Sequence, residues 1–274
     1  GLDKFEPIKT ENLSVELNTP NSNLLIRKLY KSALTLARND LQLIPFKQLE
    51  NKTFASLSIG ATAQTEFQRQ LSKYVKIENH TLKASDTENV FDQKYEALKG
   101  FSHIIIGMHK LNNKASSNYG IPPAALSLIS RLQKTAQVTV VVFGSPYSLK
   151  NFGNTETLLA AYEDNDITQS LAAQALFGGT ALEGRLPVSA SASLNYGKGE
   201  NTTGAIRFEY SIPEDVGINA RYLEPIDSIA SKAIKDGATP GCQVLIAKNG
   251  KVIYEKSFGS HTYGNAVPVH NTDL

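Results

Sequence analysis

Three carboxylates share one turn of this 274-residue chain: Glu163, Asp164 and Asp166 follow directly on the apolar run 158–162. Grouped carboxyl groups can do general acid–base or nucleophilic work. Cleaving a glycosidic bond needs two of them roughly 5–10 Å apart, one protonated and one ionised. Neighbours in a single turn cannot flank such a bond by themselves. The same residues also read as the cap and acidic first turn of a helix starting at Asp164 or Asn165. Two histidines, His103 and His109, bracket another apolar run, and at about 3.3 Å per residue they stand roughly 20 Å apart, too far to share a metal. His109 lies past the carboxyl end of that run, where open α/β sheets hold ligands. The ligand-lining candidates are therefore His109, Glu163, Asp164 and Asp166. No residue is assigned a catalytic role, and neither a metal nor a cofactor is expected.

Other chemistries find little support. No serine is followed by lysine three residues on, so the Ser-x-x-Lys acylation pair is missing, and Gly-x-Ser-x-Gly is missing too. Gly179-x4-Gly184-Arg185-Leu186 echoes a phosphate loop without its Lys-Ser/Thr and reads as a helix stop leading into a last strand. Gly60 after an apolar run fits a tight strand-to-helix turn. His261 and His270 fall in a polar tail. The single cysteine, Cys242, excludes an internal disulfide. A formal charge of +2 with both signs interspersed leaves no basic stripe, which argues against nucleic acid. Without tryptophan the chain lacks the flat platforms of a sugar-binding module, and its 11 tyrosines are scattered. No apolar run approaches the roughly 20 residues that span a bilayer. The polar N-terminus leaves two localisations open: cytoplasmic, or periplasmic or cell-surface after removal of an export signal.

Strands and helices alternate along the middle of the chain. Apolar runs predict strands near 53–59, 75–79, 102–107, 137–143 and 157–162, with helices at 63–74, 87–99 and 122–134 between them. Ser85-Asp86-Thr87-Glu88 reads as a capping box. A further helix runs from the acidic turn to Gly178-Gly179, with Ile167, Leu171 and Ala175 on one face. Residues 104–106 and 138–143 are continuous apolar runs of the kind buried on both faces of a parallel sheet. The expected fold is α/β: a three-layer α/β/α sandwich with a mostly parallel, doubly wound sheet. Ahead of it, 1–22 reads as an extended arm, and the spacing of Leu25, Leu29, Ala33 and Leu36 predicts an amphipathic helix over 23–38. Behind it, 190–205 reads as a flexible glycine-rich linker. A helix with Leu223, Ile226, Ala230 and Ala233 and a hairpin turning at Asn249-Gly250 complete the chain. That hairpin is apolar enough to need cover from the main domain or from a second copy in a homodimer.

Several of these segments resemble the C-terminal α/β/α domain of family 3 glycoside hydrolases. They are Arg38-Asn39-Asp40 with Leu43-Ile44-Pro45-Phe46, Phe143-Gly144-Ser145-Pro146-Tyr147, Tyr162-Glu163, the Gln-rich 169–174, Phe177-Gly178-Gly179, and 184–189. The C-terminal helix, Thr239-Pro240-Gly241, and two strands around the Lys248-Asn249-Gly250 turn resemble the opening of β-lactamase and penicillin-binding-protein-like serine hydrolases.

The resemblance implies three segments: an arm at 1–22, a family 3 C-terminal-like domain at 23–215, and the start of a β-lactamase-like domain at 216–274. It further implies that the reactive carboxylates belong to a partner N-terminal barrel domain, which would also hold the carbohydrate, an N-acetylglucosaminide of the bacterial cell wall. The fragment itself is then expected to be inactive. Two other readings stay open, a carbohydrate-binding or docking module and a fragment of a serine hydrolase.

Overall fold

The computed structural model describes residues 2–4 and 10–273. Two short helices come first, α1 (Leu13–Leu17) and α2 (Pro20–Ala33), followed by β1 (Thr35–Asn39). The alternating middle consists of β2 (Phe54–Ile59), α3 (Glu66–Ser72), β3 (Ile77–Leu82), α4 (Glu88–Leu98), β4 (His103–Met108), α5 (Pro123–Leu132), β5 (Gln137–Val142), β6 (Thr157–Ala160) and α6 (Asp166–Leu176). The C-terminal part holds β7 (Glu209–Tyr210), α7 (Glu224–Lys235), β8 (Gly241–Lys248), β9 (Lys251–Thr262) and β10 (Asn265–Pro268).

The main sheet has the order β1-β6-β5-β4-β2-β3. All its pairings are parallel except that of β1 with β6. Side chains alternate between two cores, as a period of two requires. Ala55, Leu57, Ile104, Ile106, Val138 and Val140 face α4 and α5, whereas Phe54, Ile105, Val141 and Leu159 face α3 and α6. The α/β/α sandwich and its doubly wound sheet are therefore present.

Several expectations need correction. The N-terminal helix ends at Ala33, and Thr35–Asn39 is an edge strand instead of its last turns. Leu36 meets the helical spacing by coincidence; pairing with β6 buries it completely, a gain that a single helical turn could not match. Within α2, Leu25 and Leu29 are 57% and 61% exposed, so the apolar stripe is not the side turned inward. Residues 10–22 are not extended, since they contain α1 and the start of α2, and residues 5–9 of the expected arm lie outside the described residues. The boundary signal does act as a helix start: Thr19 caps α2 by accepting from the Ser22 amide at 3.1 Å, with Pro20 in the first turn. The capping box expected at Ser85 does not form. Thr87 occupies the cap position of α4 without a side-chain bond, and the box that does form joins Thr65 and Gln68 at the start of α3.

Residues 184–189 are extended but not a strand. Leu186 exchanges two backbone bonds with 197–198 and has no sheet neighbour to continue the ladder. The 190–205 segment is likewise not a free linker, because Glu200 donates its amide to Leu36 O at 2.8 Å and accepts from the Asn39 amide at 3.0 Å. The hairpin follows its turn chemistry. Asn249 (φ 53°) and Gly250 (φ 76°) both take the left-handed conformation that a two-residue turn with right-twisted arms requires. The hairpin is also attached to the main domain: β7 pairs with the start of β9, and Lys73 bonds Glu255 at 2.5 Å.

Candidate active site at the sheet switch point

The order β3-β2-β4-β5-β6 reverses direction between β2 and β4, since the chain leaves β2 toward one side of the sheet and β4 toward the other. Ligands of doubly wound folds sit beyond the carboxyl ends of such strands. Here that position holds a cavity of about 310 Å3 lined by Ala61, Thr62, Ala63, Thr65, His109, Lys110, Asp164 and Gln169. Two of the four sequence-predicted residues, His109 and Asp164, therefore meet at the switch point. They come from strands 55 residues apart in the chain.

Asp164 reaches His109 because the backbone reverses at Tyr162. That residue has φ +66°, and the Glu163 amide donates to Ala161 O at 2.8 Å, closing a three-residue turn. The Tyr162 hydroxyl is fixed against Thr35 Oγ1 at 2.7 Å, which holds the strained residue in place. Asn165 takes over the capping of α6, accepting from the Thr168 amide at 3.0 Å, so the Asp164 carboxylate is free for other partners.

It has three. The His109 imidazole donates from Nδ1 to Oδ1 at 3.0 Å, Gln169 Nε2 donates to the same oxygen at 2.8 Å, and the Lys110 amide donates to Oδ2 at 2.7 Å. Burial by itself would raise the carboxyl pKa. These donors, His109 foremost, outweigh it and hold the group below the usual carboxylate range. Gln169 is itself oriented by the Phe67 amide, which donates to its Oε1 at 3.1 Å.

The pair can be compared with the orienting half of a hydrolytic triad, in which a carboxylate fixes the histidine tautomer and the far nitrogen acts as base. The surroundings of the far nitrogen rule out that role. His109 is 4% exposed, its ring stacks on Phe143 with centroids 4.7 Å apart, and Nε2 is buried without a hydrogen-bond partner. A Cβ built on Gly107 would stand 2.6 Å from Nε2. The nitrogen faces the core, where no nucleophile or substrate atom has room. What the geometry accomplishes is a clamp from the end of β4 to the loop after β6.

Glu163 and Asp166 are exposed, line no part of this cavity, and their carboxylates make no hydrogen bond or ion pair among the described residues. Asp166 stands in the first turn of α6, where a negative charge favours the helix. The cavity thus contains one carboxylate, not a converging pair, and among the described residues no group of three or more His, Cys, Asp or Glu could hold a metal ion. His103 sits at the opposite end of β4, packed against Phe46 and Phe54.

Sequence reading missed the glutamines. Gln174 brackets the backbone of Tyr210, accepting from its amide at 2.8 Å and donating to its carbonyl at 3.1 Å, which ties α6 to the segment leading into the hairpin. The available signal was a polar residue within the Ala- and Leu-rich run 171–176 of α6, since a buried amide must find partners.

No protein-family model matches the sequence, and no curated protein matches it. Solved structures do. A family 3 β-N-acetylglucosaminidase from Paenibacillus sp. str. FPU-7 aligns over 69% of this chain and 36% of its own, at 18% identity and a TM-score of 0.51. A fungal multi-domain family 3 β-N-acetylglucosaminidase with a GCN5-related glucosamine N-acetyltransferase region aligns over 94% of this chain and 32% of its own, at 14% identity and 0.51. A β-glucosidase from Listeria innocua in complex with isofagomine aligns over 66% and 29%, at 15% identity and 0.51. The chain thus has the fold of part of these glycosidases and spans about a third of their length.

Proposed function

We propose that this chain serves as the auxiliary α/β/α domain of a family 3 glycoside hydrolase acting on β-linked sugars, with the reactive carboxylates on a barrel domain outside these residues. The observation that carries the reading is the switch-point cavity. It sits where a doubly wound fold would do chemistry, yet it holds a single carboxylate whose lone pairs are already committed to three donors. Such a domain positions and supports another, since that cavity has no second carboxylate to complete the pair that cleaves a glycoside.

N-acetylglucosaminides are the favoured substrate class, because two of the structures it resembles carry that activity in their names. Residues 216–274 are read as the opening of a β-lactamase-like domain, supported by α7 and the β8–β9 hairpin in that order. A homodimer through the outer edge of β8, where Leu245 is 52% exposed, belongs to the same reading, and sedimentation of the purified chain tests it.

Two experiments test the assignment. Purified chain should turn over neither a chromogenic N-acetylglucosaminide nor a chromogenic cephalosporin, and measurable turnover of either would overturn it. Sequencing the gene on both sides should reveal a barrel upstream and Ser-x-x-Lys downstream. Absence of the barrel defeats the glycosidase reading, and absence of the serine motif defeats the second.

A further inference from the structure

A larger cavity lies away from the switch point. It has a volume of about 540 Å3 and lies between α2, Leu171 of α6, the 179–183 segment, the 204–215 segment and the start of β9. That size lies within the range of small-molecule sites, which hold roughly 300–1,000 Å3.

Its charges do not balance. Lys31 is matched with Glu209, bonding both carboxylate oxygens at 3.0 and 2.9 Å, and Lys251 is matched with Asp215 at 2.5 Å. Arg27 has no such partner. Its one hydrogen bond runs from Nη2 to the Tyr210 carbonyl at 2.8 Å, which leaves the rest of the guanidinium fork unused among the described residues. Burial lowers the pKa of this guanidinium against the opposing pull of Glu209 and Asp215, as expected where a cation is short of compensation. Exposed Lys28 and exposed Glu183 complete the charged lining, four cations and three carboxylates, and Glu66 acts on Arg27 from outside it.

We propose that this cavity is a binding site for a small acid, a monosaccharide-sized molecule with one carboxylate or phosphate held by Arg27. A planar fork with open N–H groups is the side chain best suited to grip either oxyanion in two-point fashion. The apolar walls, Leu24 and Leu171, suit the ring of such a molecule.

Calorimetric titration of the whole chain with sodium glucuronate, glucose 6-phosphate and glucose at matched ionic strength tests the site. At least one of the two acids should bind, and glucose should bind at least tenfold more weakly or not at all. Which acid wins identifies the oxyanion. Arg27→Gln should weaken the preferred acid by roughly tenfold or more, the loss of a charge-assisted contact. Should that variant fail to fold, Lys28→Ala decides. Lys28 is exposed and makes no bond, so its loss leaves the fold alone and should weaken the acid about two- to threefold at low salt. The proposal is overturned if no probe binds, if glucose equals the acids, or if the tested variant binds like the parent chain.

Discussion

The imidazole of His109 occupies the space that a side chain at residue 107 would need, with Nε2 2.6 Å from the position of a Cβ on Gly107. The glycine is thus a condition for the histidine to lie in the core. Gly107→Ala should overpack this point and cost about 1–3 kcal/mol. In a His109→Ala background most of that cost should vanish. Urea unfolding of the four proteins checks this, and purely additive costs would refute the assigned packing.

Asp164→Ala removes the acceptor for three donors at once and leaves the Lys110 amide, Gln169 and His109 short of partners. With the carboxylate side chain 21% exposed, the expected cost at neutral pH is about 2–3 kcal/mol. The sign of its pH dependence follows from the direction of the shift. The folded carboxyl titrates below its unfolded value of about 3.9, so its contribution is complete above that pH and declines as acid protonates it. The stability gap between parent and Asp164→Ala should begin to narrow as the pH falls below about 4 and hold steady well above it.

His103 acts in a different window. Burial, assisted by Lys52, pulls its pKa down to about 4. The unfolded chain takes up a proton near 6.5 that the folded chain refuses, so stability should fall as pH drops from 6.5 toward 4, by roughly 2 kcal/mol. His103→Phe, placed among Phe46 and Phe54, should remove this slope. A slope that survives the substitution would assign it elsewhere.

Two left-handed glycines should respond differently to alanine. Gly60 has φ +97°, and a Cβ there would lie 2.3 Å from the His109 carbonyl oxygen, so backbone must move. Gly250 has φ +76° with nothing within 4 Å. Gly250→Ala should cost about 1 kcal/mol, the conformational term alone. Gly60→Ala should cost at least twice that, with the largest amide shifts at 109–110. Equal thermal shifts in the two variants would contradict the close approach.

The parallel core was legible in the sequence because its strands are buried on both faces. Runs such as Ile104-Ile105-Ile106 need no knowledge of their neighbours to read as strand, and Asn249-Gly250 announces its turn through backbone preference alone. The places where reading failed were those decided by neighbours. Thr35–Asn39 became a strand because β6 offered it an edge, whereas in 184–189 Leu186 bonds only to 197–198 and joins no sheet. Leu25 and Leu29 mark a stripe, but periodicity does not say which side of a helix will be covered.

By itself, then, the sequence determined the alternation of buried runs and helices, the turn glycines and the absence of a serine–lysine pair, all local properties of residue type and spacing. Only the tertiary structure decided that Asp164 turns toward His109 and that the far nitrogen faces Gly107. It alone decided that Arg27 stands without a carboxylate beside it. Those are distances between residues dozens to hundreds of positions apart, fixed by how the layers pack, and no short-range preference encodes them.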